Sequence, residues 1–180
     1  MRFCLCIIFT FCLFTEGCHS PTSARRKKEI KEDILKLPDT ELEGFVYRFY
    51  KGKEKRWELK ADKAVTFQNQ ELVRVKGVYL SIYEHGELSS ELYSRYGKVT
   101  NRGKLLVAIS NVLLQTKDGD KLETTILYWN DDTQKLYTDQ KVKITWANGN
   151  VIEGKGFIAD PSLQKIEIES GVKGRIYETR

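Results

Sequence analysis

The fold is decided by residues 72–88, which read LVRVKGVYLSIYEHGEL. The same pattern returns in residues 106–122 and in residues 136–152. In each segment a valine stands six positions after the first leucine, an aliphatic residue stands two positions further on, and a turn glycine and another aliphatic residue follow. A repeat with a period of 30 to 34 residues indicates stacked hairpin units, because two short strands cannot bury an apolar face alone.

Strand and turn signals alternate along the rest of the chain. After Gly44, β-branched and aromatic residues become frequent and apolar residues recur at every second position. Clusters of Gly, Asn and Asp that are typical of hairpin turns lie at residues 84–86, 101–103, 117–120, 130–132 and 147–150. The sequence therefore predicts an all-β fold, a layered antiparallel β-jelly roll or β-taco over residues 42–176, followed by a tail at 177–180.

One side-chain phase is predicted to line the inside of this roll. It contains medium-sized aliphatic residues, few large aromatics and no ionisable pair. Such an interior, if its own side chains close it only partly, suits extended hydrocarbon chains. The same alternation fits a sandwich core without a cavity, since a sequence does not report a void. The predicted lining residues are Val78, Leu80, Ile82, Val112, Leu114, Val142, Ile144, Ile166 and Ile168.

The first residues are typical of a secretory signal. Arg2 precedes an apolar run at residues 3–14, and small and polar residues follow it. That run is shorter than the roughly 20 apolar residues that a helix needs to cross a bilayer. We therefore expect a cleaved signal peptide over residues 1–17 in preference to a membrane-spanning anchor.

Cys18 is the predicted lipidation site. Gly17 directly precedes it, as in a bacterial lipobox, although Thr15 and Glu16 depart from the usual pattern. No cysteine follows position 18, so an ordinary thiol there would have no disulfide partner in an exported chain. Acylation of Cys18 would explain this residue and would supply a durable membrane anchor.

Residues 18–41 are predicted to form the lipidated cysteine and a linker. The basic cluster at residues 25–28 suits either contact with anionic headgroups or simple solvation. Residues 29–37 carry apolar side chains at helical spacing, and Pro38 ends any helix there. A short helical or flexible connector is expected.

An inventory of reactive side chains argues against an enzyme. His19 and His85 have no neighbours at metal-ligand or triad spacing. The two aspartate pairs, at residues 118 and 120 and at residues 131 and 132, lie in predicted hairpin tips, where turn geometry explains them. Lys and Arg are spread along the polar phase, which argues against nucleic-acid binding. We predict no catalysis, no metal and no cofactor.

Residues 57–64 (WELKADKA), residues 72–82 and the glycine-rich residues 149–156 together resemble the LptC family of lipopolysaccharide export, in the OstA-like β-jelly roll superfamily. The resemblance covers about residues 42–176. It implies a half-open β-jelly roll that receives lipopolysaccharide acyl chains from an inner-membrane ABC transporter and passes them to a soluble periplasmic bridge protein, without catalysis.

The resemblance also implies how partners are joined. Sheets would continue edge to edge, and the segment with Ile166, Ile168 and Val172 would supply the outgoing edge. Family members are held by a transmembrane helix, whereas Cys18 predicts a lipoprotein, at the periplasmic face of the inner membrane in preference to the outer membrane. Two alternatives remain open: a soluble bridge subunit of the same pathway, and a structural surface lipoprotein without a lipid slot.

Overall fold

The computed structural model describes residues 38, 40–67 and 71–175. The signal peptide, Cys18, the linker through residue 37 and the tail lie outside the described residues. Those residues contain no helix that is long and apolar enough to cross a membrane. A 3₁₀ turn at Asn101–Gly103 joins two of the strands. The strands are β1 (Thr40–Lys51), β2 (Glu54–Phe67), β3 (Leu72–Glu84), β4 (Glu87–Thr100), β5 (Leu105–Thr116), β6 (Lys121–Asn130), β7 (Lys135–Thr145), β8 (Val151–Ala159) and β9 (Ile166–Arg175).

All nine strands form one antiparallel sheet in the order of the chain, so β1 and β9 are its two edges. This confirms the predicted all-β class. The three sequence repeats are the hairpins β3–β4, β5–β6 and β7–β8. Their turn glycines, Gly86, Gly119 and Gly149, have φ angles of +82°, +95° and +87°. A side chain rarely tolerates such angles, which explains why each repeat carries glycine there.

A line of irregular positions, which we call the crease, crosses the whole sheet. On either side of it, buried side chains alternate regularly. At the crease one or two additional residues intervene: the buried Val75 and Val78 are three positions apart, and the buried Ala108 and Val112 are four apart. Extra residues bend a strand. The register places on this line Gly44, Asp62, Gly77, Arg95, Ser110, Asn111, Thr125, Asp139, Gln140, Gly156 and Glu169.

The crease divides the sheet into two arms. Arm A ends at the turns at residues 52–53, 85–86, 117–120 and 146–150, whereas arm B ends at the β2–β3 connection and at residues 101–104, 131–134 and 160–165. Inward side chains of both arms belong to one hydrophobic core. The sheet is therefore folded on itself into two facing layers.

Several small side chains lie beside the crease, and two large ones lie towards the tips of the arms. The small residues Ala61, Ala64 and Ala108 lie beside it, whereas Trp57 and Trp129 lie towards the tips of the arms. Phe157, next to Gly156 of the crease, and Ala159, near the tip of arm B, are exceptions to this order. The prediction of few large aromatics inside is wrong, because Trp57 and Trp129 belong to the core. Phe157 is also fully buried.

The predicted alignment of the first repeat with the other two is wrong by one residue. The register joins Val73 to Val99, Val99 to Leu106, and Leu106 through Trp129 to Leu136. Val73, and not Leu72, is therefore equivalent to the leucines that open the other two repeats. The shared six-residue spacing from leucine to valine does not mark equivalent positions on arm B, because β3 crosses the crease with one extra residue, whereas β5 and β7 cross it with two.

Candidate functional site: the interior between the arms

A continuous row of inward side chains crosses arm A at right angles to the strands. Leu80 lies opposite Leu92, and Leu92 lies opposite Leu114. Neighbouring strands are about 4.8 Å apart, so a row across eight strands extends over about 34 Å. The row therefore reaches from β1 to β8. The row consists of Tyr47, Leu59, Leu80, Leu92, Leu114, Leu122, Ile144 and Ile152.

The predicted lining residues fall on both walls. Two of them, Ile166 and Ile168, lie on arm B in the edge strand β9, where they are half-buried. The others lie together on arm A and are 0–7% exposed. Their contact with lipid stays a prediction. These arm A residues are Val78, Leu80, Ile82, Val112, Leu114, Val142 and Ile144.

Most of the wall on arm B was missed by sequence reasoning. The alternation that starts at Val78, continued backwards, places Lys76 inward, whereas the structure buries Val75. Gly77 was the available signal, since it separates two alternating patterns of opposite phase. The missed residues are Val75, Val99, Leu106, Ala108, Leu127, Trp129, Leu136, Phe157 and Ala159.

Side chains fill the space between the arms. A void of about 20 Å³ lies between Leu59 and Leu80 of arm A and Val75 and Leu106 of arm B. That volume holds about one water molecule. An acyl chain can therefore enter this part of the interior only when the arms separate.

Side chains also join the tips of the arms near β1 and β2. Arg56, beside the first turn of arm A, has its Nε 3.6 Å from Oδ1 of Asp131 in the β6–β7 turn of arm B. Their side chains are 11% and 3% exposed. Close by, a Cβ added at Gly103 of arm B would lie 2.9 Å from the Phe49 ring and 3.1 Å from the Trp57 ring. We call these contacts, of Arg56 with Asp131 and of the two rings with Gly103, the clasp.

We call the gap between the tips of the two arms the mouth. Farther from β1 and β2, the mouth is polar. A groove of about 550 Å³ separates the β3–β4 and β5–β6 turns of arm A from the β8–β9 turn of arm B. Leu163 is buried in that last turn. Charged side chains of both signs line the groove, so it suits a hydrated polar group. They are Glu84, Glu87, Lys117, Asp160 and Lys165.

Charges also hold the first edge strand. Arg48 of β1 stands directly opposite Glu58 of β2, and its Nε donates a hydrogen bond of 2.6 Å to Glu58 Oε2. This hydrogen bond and the positive charge of Arg48 lower the pKa of Glu58. On the outer face, a hydrogen bond from the Tyr79 hydroxyl to Glu91 raises the pKa of Tyr79 to about 12. These contacts stabilise the sheet without entering its interior.

Comparison with known families shows where the chain belongs. The family model described as lipopolysaccharide-assembly, LptC-related, matches residues 4–178. The chain belongs to the LptC family. This LptC-family protein is a periplasmic bridge component of lipopolysaccharide transport, which binds lipopolysaccharide, acts with other Lpt proteins and is not an enzyme.

A solved structure shares the fold of this LptC-family protein. It is the crystal structure of LptH from Pseudomonas aeruginosa, described as the LptA homologous periplasmic component of the conserved lipopolysaccharide transport device. The TM-score is 0.54 at 13% sequence identity, over 68% of this chain and 95% of LptH. No curated protein matches the sequence. The likeness to LptH confirms the β-jelly roll.

Proposed function

We propose that this chain is a membrane-anchored lipid-transfer protein. It receives the acyl chains of lipopolysaccharide from an inner-membrane ABC transporter and passes them to a soluble periplasmic bridge protein. The aliphatic row from Leu59 to Ile152, which crosses seven strands between two edges that no other described strand pairs, is the observation that carries the proposal. A path in this direction leads a chain from one end of the sheet to the other.

Loading requires the two arms to part along the mouth. The clasp consists of side-chain contacts, which separate without loss of the strand ladder. An acyl chain that enters replaces contacts between the arms with contacts to itself, so the apolar walls stay out of water. Each methylene group that leaves water contributes about 0.8 kcal/mol. The polar groove at the mouth then leaves the headgroup hydrated.

The two edge strands serve as the docking sites. An unpaired strand edge accepts an additional strand from a partner, which extends the sheet. In this proposal β9 pairs with the soluble bridge protein and β1 pairs with the transporter. Photo-crosslinkers at Val172 in β9 and at Val46 in β1, which are 54% and 44% exposed, should capture different partners. Capture of the same partner from both positions argues against this assignment.

The proposed anchor is an acyl modification of Cys18 at the periplasmic face of the inner membrane. Labelled fatty acid should be incorporated into the wild-type chain and lost in Cys18→Ala. Absence of label in the wild type would support the alternative of a soluble bridge subunit. The same labelled cells, after membrane separation, should show the protein in the inner-membrane fraction.

A photo-crosslinking scan tests the lipid path. Crosslinkers at Leu80, Leu114 and Ile144 are on the inward row and should form adducts with lipopolysaccharide. The matched controls are their chain neighbours Leu113 and Lys143, which point to the opposite face and should form none. Equal adducts on both faces, or none on the inward row, would leave a closed structural core as the better description.

A further inference from the structure

Four buried side-chain donors have no hydrogen-bond partner among the described residues; one is Arg56 Nε, which faces Asp131 in the clasp, and the other three have no such counter-charge. These three are the indole nitrogens of Trp57 and Trp129 and the hydroxyl of Ser90. Their residues are 0–1% exposed. An indole N–H can only donate a hydrogen bond, and no described residue accepts one from Trp57 or Trp129. Buried polar groups without partners are rare and point to a missing ligand or water.

All three donors lie on the rows of the arms that are nearer the mouth. Trp57 is opposite Ile82, which is opposite Ser90, towards the tips of arm A. Trp129 is opposite Leu106 and near the tip of arm B. The deeper positions beside the crease carry small apolar residues such as Ala61 and Ala108. Ser94 and Thr138 are buried beside the crease too, but their hydroxyls have hydrogen-bond partners, so the unpartnered donors lie nearer the mouth.

We propose that Trp57, Ser90 and Trp129 form a subsite for the acyl linkages of the bound lipid. Chains that enter through the mouth point towards the crease, and the ester or amide carbonyl at the head of each chain accepts a hydrogen bond from one of the donors. The subsite fixes how deep the chains enter. This inference rests on the proposed function, since it concerns the same interior.

Carbonyl acceptors explain the donors better than bare hydrocarbon does. A hydrocarbon chain would leave both indole N–H groups and the hydroxyl unpaired when the lipid is bound. A fatty-acyl linkage carries a carbonyl oxygen at the boundary between the chain and the polar headgroup, and the donors lie at the corresponding boundary of the interior.

Infrared spectroscopy of the full-length protein with lipopolysaccharide tests the subsite. With ¹³C-labelled acyl carbonyls, binding to the wild type should move part of the carbonyl stretch to lower frequency. The shifted band should disappear in the triple variant W57F, S90A, W129F, and the dissociation constant should rise about tenfold or more. Trp146→Phe is the matched control, because Trp146 is half-buried and its indole nitrogen is not among the unpartnered buried atoms. That variant should keep the band.

Ser90→Ala keeps the inference testable if the triple variant does not fold. It removes one oxygen that has no hydrogen-bond partner within the described part of the chain, so the unfolding midpoint should stay unchanged or rise. Affinity for lipopolysaccharide should nevertheless fall about two- to tenfold. Lipopolysaccharide that binds with an unshifted carbonyl band overturns the subsite and leaves the proposed function intact. If lipopolysaccharide does not bind the wild type, the proposed function is itself overturned.

Discussion

Arg56 and Asp131 face each other across the mouth of the folded sheet, with Arg56 Nε 3.6 Å from Asp131 Oδ1. They belong to β2 and to the β6–β7 turn, which are far apart in the sheet order. The pair therefore connects the two arms directly. Nη1 of Arg56 also lies 3.1 Å from Oε1 of Glu54 on the same arm. Loss of Asp131 therefore removes this contact between the arms, while the guanidinium keeps an acidic partner.

Asp131→Asn is expected to loosen the clasp. The ion pair is largely buried, so the free energy of unfolding should fall by about 1–3 kcal/mol. This is less than the loss of a buried pair usually costs, because Arg56 keeps Glu54 as a partner. If the arms must part for loading, lipopolysaccharide uptake should become faster. Urea unfolding gives the first quantity, and stopped-flow uptake of labelled lipopolysaccharide gives the second.

The neighbouring Asp132→Asn is the control for the clasp. Asp132 pairs with Lys104 on the surface of arm B, and its side chain is 54% exposed. An exposed pair contributes about 0–1 kcal/mol, so both stability and uptake should stay near wild type. An uptake rate that is equally raised in both variants would exclude a specific role of the Arg56–Asp131 pair.

Gly77→Ala tests the crease. The φ angle of Gly77 is +67°, and a Cβ there would lie 1.9 Å from Asp62 Oδ2 on the neighbouring strand. Backbone strain and crowding should together reduce the free energy of unfolding by more than about 2 kcal/mol. Chemical denaturation of the purified protein measures the loss.

Gly86→Ala separates the two causes. Its φ angle is +82°, but nothing lies within 4 Å of an added Cβ. The cost should be about 1 kcal/mol, from backbone strain alone. In the double variant Asp62→Ala, Gly77→Ala, part of the lost stability should return, because the crowding carboxylate is gone. Fully additive losses would contradict the role assigned to Asp62.

Leu114→Ala tests the aliphatic row. Leu114 is fully buried, so its truncation should cost about 2–5 kcal/mol, from lost burial and a residual cavity. Leu88→Ala is the comparison, since Leu88 is 36% exposed at the arm A tip and should cost less than about 1 kcal/mol. Equal losses at the two positions in thermal or urea unfolding would indicate that the row is not the core.

The pair of Arg48 and Glu58 predicts a pH dependence of stability. Arg48 lowers the pKa of Glu58 in the folded chain, so the pair stabilises at pH values above the ordinary pKa of glutamate, and this contribution is lost as pH falls through the lowered pKa. At about pH 7, Glu58→Gln should unfold with a free energy lower by about 0.2–1 kcal/mol. Near pH 2 the variant and the wild type should coincide.

Glu123→Gln provides the reference for that measurement. Glu123 pairs with Lys143, and both side chains are about half exposed. Urea titrations across the same pH range should show a smaller effect, within about 0.5 kcal/mol. A difference between Glu58→Gln and wild type that does not change with pH would contradict an electrostatic origin.

Much of the fold could be predicted because strand alternation and turn chemistry are local. The glycines at positions 86, 119 and 149 mark real hairpin turns, and the inward phase from Val78 to Ile82 is buried as expected. These features depend on neighbouring residues of one strand. The same locality makes the repeats recognisable from the order of residues alone.

The crease could not be predicted in this way, because its effect depends on how neighbouring strands line up. One extra residue at the crease reverses the inward phase of β3 on arm B, whereas two extra residues preserve the inward phase of β5. A single alternating pattern that is extended along β3 therefore fails on arm B. The sequence likewise could not show that the Trp129 indole nitrogen lacks an acceptor among the described residues, since the partner of a buried donor can come from residues far along the chain. The clasp between Arg56 and Asp131 joins positions 75 apart and has no local signature.

The pairing of each strand only with its chain neighbours has a consequence for size. A further hairpin, for example a copy of residues 106–130, could be inserted between β7 and β8. It would lengthen the sheet by about 9.6 Å and would replace only the β7–β8 pairing. The molecule is thus modular, and the number of hairpins sets the distance between the two edges of its sheet.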